Sequence, residues 1–150
     1  MTPAEIDMEA LIAWAFKRTP SPCQDGIERA RRGWAHLAPG DRHWIAERCG
    51  PELHELLACD PNWTVRAAIA RRCGPKLLQV LALDANWLVR AAVAARCGPE
   101  MLAVFARDPH STVREAVAEH CDDIELLRAL ATDLDEGVRQ IARDRLEDLK

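Results

Sequence analysis

Residues 48–143 repeat themselves with a period of 24. Residues 48–71 read RCGPELHELLACDPNWTVRAAIAR, residues 72–95 RCGPKLLQVLALDANWLVRAAVAA, and residues 96–119 RCGPEMLAVFARDPHSTVREAVAE. A drifted fourth copy, HCDDIELLRALATDLDEGVRQIAR, fills residues 120–143. A unit this short cannot bury an apolar face alone, so successive copies must stack on one another. That confines the chain to a repeat architecture before any single residue is considered.

The punctuation inside each unit predicts two helices. In residues 72–95, Gly74 is placed to end one helix in the left-handed conformation and Pro75 to open the next, where a missing N–H costs nothing. The first helix is short, from Lys76 to about Leu83, with Leu77, Val80 and Leu81 facing inward. Asp84 then reads as the N-cap of a second helix, as do Asp60 before Pro61 and Asp108 before Pro109. That second helix is expected to reach Cys97, with Val89, Val93 and Cys97 along one side. A first helix of about two turns could not stand alone in water, so stacking must stabilise it. Small residues such as Ala67, Ala68, Ala91 and Ala92 let the helices approach closely.

The expected organisation is a single structural domain with three parts: an N-terminal helical cap at 1–47 including a degenerate repeat, four repeats at 48–143, and a C-terminal cap at 144–150. The cap contains amphipathic helices at 3–18 and 24–38, interrupted by Pro20 and Pro22. The repeat phase begins inside it: Arg42 precedes Arg66 by 24 residues, and Ile45-Ala46-Glu47-Arg48-Cys49 parallels Ile69-Ala70-Arg71-Arg72-Cys73. In the fourth copy Gly-Pro gives way to Asp122-Asp123, and the run from Cys121 to Asp133 is one residue longer than that from Cys97 to Asp108.

Charge excludes some classes of function. With 49% apolar and 29% charged residues and a net charge of −4, the chain has neither the composition of disorder nor a global attraction to nucleic acid or anionic membrane. The first 18 residues run from acidic to basic, the reverse of a secretory leader, and no apolar run approaches a membrane span. A cytoplasmic protein is expected.

One spacing recurs through all four copies: Asp60…Val65-Arg66, Asp84…Val89-Arg90, Asp108…Val113-Arg114 and Asp133…Val138-Arg139. This D-x-x-x-x-V-R pattern resembles HEAT-like repeats, in which such residues form a ladder between neighbours. With a 24-residue period it looks more like the leucine-rich repeat variant family. The resemblance implies an all-α, right-handed α-solenoid of about four two-helix repeats, one helix short and of α or 3₁₀ type. It also implies that Asp60, Arg66, Asp84, Arg90, Asp108, Arg114, Asp133 and Arg139 are a structural ladder. Some members of that family carry an N-terminal iron–sulfur cluster; here the region before residue 48 supplies one cysteine, Cys23. No cofactor is therefore expected.

Cys49, Cys73, Cys97 and Cys121 recur at 24-residue intervals. Equivalent positions on stacked helices lie about 8–10 Å apart, too far for a disulfide or a shared metal. They read as buried small thiols. No phosphate loop, nucleophile motif or histidine set at ligand spacing is present, which points away from an enzyme.

Two further sets of residues recur, and each has a structural reading beside a functional one: a solvated stripe for the arginines, and cover for the ends of neighbouring helices for the tryptophans. Arg48, Arg72 and Arg96 precede the cysteines, with His120 in the fourth place. Trp63 and Trp87 share one repeat position, which Ser111 and Glu136 occupy in later copies. Tryptophan and arginine dominate binding hot spots. The reading is a non-enzymatic scaffold that binds another protein through Trp63, Trp87, Arg72 and Arg96. Two alternatives stand beside it: DNA binding through an arginine-lined face, by analogy with HEAT-like glycosylases, and service to a metallocentre, from family resemblance alone.

Overall fold

The computed structural model describes Gly33 and residues 36–150. The cap helices expected at 3–18 and 24–38, with Trp14, Cys23 and Trp34, lie outside the described residues apart from Gly33 and residues 36–38. The described residues contain helices and no strand. The chain divides into two compact units, 1–73 and 74–150, whose boundary falls between the end of one long helix and the start of the next short one.

In the first unit, α1 (Pro39–Arg48) has Pro39 in its first turn, Asp41 near its N-terminus and Arg48 near its C-terminus, an arrangement that suits the helix dipole. Pro51–Leu53 then forms a single 3₁₀ turn that continues as α2 (His54–Leu57). The long helix of this repeat is α3 (Trp63–Ala70). Helix α1 packs along α3. Ile45, Leu53, Val65 and Ile69 are completely buried between these elements. Such side chains each contribute about 1.5–3 kcal/mol on burial, which is what holds a four-residue helix in place.

The second unit holds α4 (Pro75–Leu81), α5 (Trp87–Ala94), α6 (Pro99–Phe105), α7 (Ser111–His120), α8 (Ile124–Leu130) and α9 (Glu136–Asp148). Helix α7 packs between α5 and α9, and each short helix lies against the long helix of its own repeat. Val89, Val113 and Val138, the same letter of three successive copies, are all fully buried, as is Val65 in the first unit. Equivalent letters therefore occupy equivalent depths, which is the defining property of a repeat stack.

Several local expectations are corrected. Gly74 is extended, with φ −77° and ψ 170°, and caps the start of α4. Among the described residues no glycine has positive φ. Helices α3 and α5 end by tightening rather than by a left-handed residue: α5 stops at Ala94, while Arg96 and Cys97 both donate to the Val93 carbonyl at 2.9 Å. On α4 the inward residues are Leu78 and Leu81; Val80, expected inside, is 65% exposed. Residues 144–148, expected to begin a separate cap, continue α9.

Candidate interaction surface

The sequence assigns the N-cap of each long helix to the repeating aspartate. The structure moves it two residues on. Asp60, Asp84, Asp108 and Asp133 each accept the backbone N–H of residue i+2, at 2.8, 2.8, 2.9 and 2.9 Å, closing an Asx turn. The residue so positioned is the cap. Asn62 and Asn86 accept the N–H groups of Thr64 and Leu88 at 2.8 Å through their Oδ1 atoms. His110 accepts that of Thr112 through Nδ1 at 3.3 Å, and Asp135 accepts those of Gly137 and Val138. Donors left over at a helix start are thus satisfied in two stages.

The arginine that follows each buried valine has two tasks. Its first is local: Arg66, Arg90, Arg114 and Arg139 each donate Nη1 to the carbonyl of their own repeat's aspartate, every one at 2.8 Å. Its second, made by Arg90 and Arg114, reaches the next repeat. Arg90 makes a two-pronged bond to Asp108 (Nε–Oδ2 2.7 Å, Nη2–Oδ1 3.0 Å), and Arg114 makes the same bond to Asp133 (2.8 and 2.9 Å). In the first unit Arg42, from the degenerate repeat, holds Asp60 through Nε at 2.8 Å. Planar guanidinium and planar carboxylate match edge to edge, the strongest form of this contact. Burial raises the Asp108 carboxyl, but the hydrogen bond from Arg90, the His110 N–H and the Arg90 charge outweigh it, and its pKa falls below the ordinary range. At Asp133 the Arg114 hydrogen bond leads and burial opposes it, again with a net lowering. The ladder is committed internally.

The four residues singled out for a partner sit in different settings. Trp63 opens α3 and is 39% exposed. Trp87, at the equivalent position of α5, is half-buried, with one face against the His110 ring at 4.0 Å between centroids and 4° between planes. Arg72 is exposed, yet one N–H reaches the Ala46 carbonyl at the end of α1, 2.9 Å away. Arg96 is exposed. His120, which takes the arginine's place in the fourth copy, turns back on the Ala116 carbonyl at 2.9 Å.

Two residues that sequence reasoning passed over matter here. His110 is both helix cap and stacking partner; its equivalence to Asn62 and Asn86 was the available signal. Arg71, beside Arg72, lines an open depression of ≈ 450 Å³ together with Glu47, Arg48 and Ala68. Its signal was the break in the pattern, because Glu47, Ala95 and Glu119 hold that letter in the other copies.

Among the described residues, Cys49, Cys59, Cys73, Cys97 and Cys121 are free thiols. Burial pushes the thiols of Cys49, Cys97 and Cys121 above their ordinary pKa, which favours the unreactive protonated form. No group of three or more His, Cys, Asp or Glu side chains among the described residues is placed to hold a metal ion. No helix among them is long and apolar enough to cross a membrane.

Residues 87–110 match the family model described as leucine rich repeat variant. The solved structure of a leucine-rich repeat variant with a novel repetitive protein structural motif is similar over 93% of this chain, at 25% identity and a TM-score of 0.65. This chain spans 61% of that one. No curated protein matches. The resemblance read from D-x-x-x-x-V-R therefore holds, and the all-helical repeat fold that it implied is the fold of the chain.

Proposed function

We propose that this helical-repeat protein of leucine-rich repeat variant type is a non-enzymatic scaffold that binds another protein. The observation that carries the reading is Trp63. An indole 39% exposed at the start of a helix leaves apolar ring surface in water. Tryptophan in that position is the kind of anchor on which protein interfaces depend. The Asp/Arg ladder supports the same reading from the other direction, because its charges are already engaged within the fold. Recognition then falls to Trp63 and Trp87 as anchors at the starts of α3 and α5, and to Arg72 and Arg96 as charged contacts beyond the ends of the same helices.

The test is affinity capture of partners from cell extract with wild-type protein and with Trp63→Ala, after circular dichroism has established that the variant is folded. Specific protein capture by the wild type and its loss in the variant is the expected result. Capture that is indifferent to Trp63→Ala, Trp87→Ala and Arg96→Ala together would refute this assignment.

A further inference from the structure

We propose that the arginine-lined depression at the C-terminal ends of α1 and α3 is a docking site for an acidic segment of a partner protein. The proposal rests on the scaffold reading and gives it a ligand chemistry.

Glu47 and Arg48 close α1, Arg71 caps the end of α3, Arg72 follows it, and Ala68 completes the lining. Three guanidinium groups thus face one carboxylate. That carboxylate is already engaged: Glu47 meets Arg48 at 3.3 Å and His43 at 3.4 Å. Two of the arginines are held in position by contacts that use only part of their capacity. Arg48 lies over the Trp44 ring, 4.7 Å from its centroid, and Arg72 donates one N–H to the Ala46 carbonyl. A guanidinium has five N–H donors, so most remain available. Arg71 is exposed, and its side chain makes no hydrogen bond or ion pair among the described residues.

The site belongs to one copy of the repeat. The pair Arg71-Arg72 occurs once; the equivalent pairs are Glu47-Arg48, Ala95-Arg96 and Glu119-His120. A solvated stripe maintained for solubility would need no such concentration in one place. Ala68 stands where α1 carries Trp44, 24 residues earlier, and a methyl in place of an indole leaves room for a ligand group. Carboxylates fit this setting better than a nucleic-acid backbone. The depression is locally positive while the chain carries a net charge of −4, so an extended polyanion meets repulsion wherever it runs past the site. A short acidic segment places its charge only where the arginines are, and each carboxylate can bridge two N–H groups of one guanidinium.

The experiment uses the full chain and a fluorescently labelled peptide of eight glutamates, read by anisotropy, with an eight-glutamine peptide as the neutral control. Saturable binding of the glutamate peptide, weakened by salt and weakened at least tenfold by Arg71→Glu, is expected. Arg107→Glu, the same charge change at an exposed arginine in the other unit, should leave it unchanged. Equal losses in the two variants would reduce the effect to bulk charge and overturn the proposal, as would unaltered binding in Arg71→Glu. Stronger binding of duplex DNA, displaced by the same substitution, would overturn it in favour of a phosphate ligand. Should Arg71→Glu disturb the circular dichroism spectrum, Arg71→Gln provides the same comparison. Absence of peptide binding beside protein capture that depends on Trp63 would remove this ligand chemistry alone; absence of any Trp63-dependent capture would remove the scaffold reading.

Discussion

Asp108 accepts an N–H from the residue that caps α7 and both prongs of Arg90. The two roles separate by substitution. Asp108→Asn keeps an oxygen for the His110 N–H but loses the charge; Asp108→Ala loses both and leaves Arg90 without its carboxylate. The pair is largely shielded, with side-chain exposures of 15% and 6%, so the contact is worth more than a surface ion pair. Urea denaturation followed by circular dichroism should show the alanine variant destabilised by roughly 2 kcal/mol and the asparagine variant by about half that. Equal losses would mean that the charge contributes nothing. Protonation is the second probe. The carboxyls of Asp108 and Asp133 have folded pKa values below their unfolded ones. The stability they contribute is therefore complete above the unfolded value of about 3.9 and disappears as pH falls from there through the lower folded values. Urea midpoints should be level from pH 7 to 5 and drop below pH 4. The drop should be smaller in Asp108→Asn, where one of the two groups no longer titrates.

At the level of the element, each long helix is started by a relay of two side chains, and the third copy has replaced asparagine with histidine. The Nδ1 atom of His110 accepts from Thr112 while its ring stacks on Trp87. His110→Asn should preserve the cap, hold stability within about 0.5 kcal/mol, and alter tryptophan fluorescence through loss of the stack. His110→Ala should lose cap and stack together and cost about 1–2 kcal/mol. A fluorescence spectrum unchanged in both variants would dispose of the stack. The position of the cap is not fixed by the local sequence. D-P-N and D-A-N offer two capping side chains two residues apart, and preference alone favours neither. What decides is that aspartate must also face the neighbouring repeat's arginine, a contact made across 18 residues. Val80 points outward for a similar reason: a seven-residue helix shows less than two full turns of periodicity, so Leu77 and Leu78 compete as the inward position until a neighbour's packing chooses. By contrast, Val65, Val89, Val113 and Val138 could be placed directly, because four copies of one letter report one environment.

For the whole molecule, the repeat period makes a prediction that no single contact does. Removing residues 90–113, a full period of 24, joins Val89 to Arg114 and leaves every letter in phase. The shortened protein should keep a helical spectrum and a cooperative thermal transition at lower temperature, since stability in stacked repeats is roughly a sum over units and their interfaces. Removing only residues 90–101 puts the copies out of phase and should abolish the transition. A cooperative melt in both would mean that phase does not matter. The candidate interaction residues were less legible than the fold, since the letters that distinguish copies, Trp63, Trp87 and Arg71, are those that the repeat does not explain. The extra residue of the fourth copy leads somewhere else. Arg114 reaches Asp133 across 19 residues as closely as Arg90 reaches Asp108 across 18. The surplus is taken up next to Asp122, whose side chain is 79% exposed, without disturbing the grip between neighbours. The joint between copies thus has slack, and it is there that a foreign loop could be spliced into the chain with the layers on either side none the wiser.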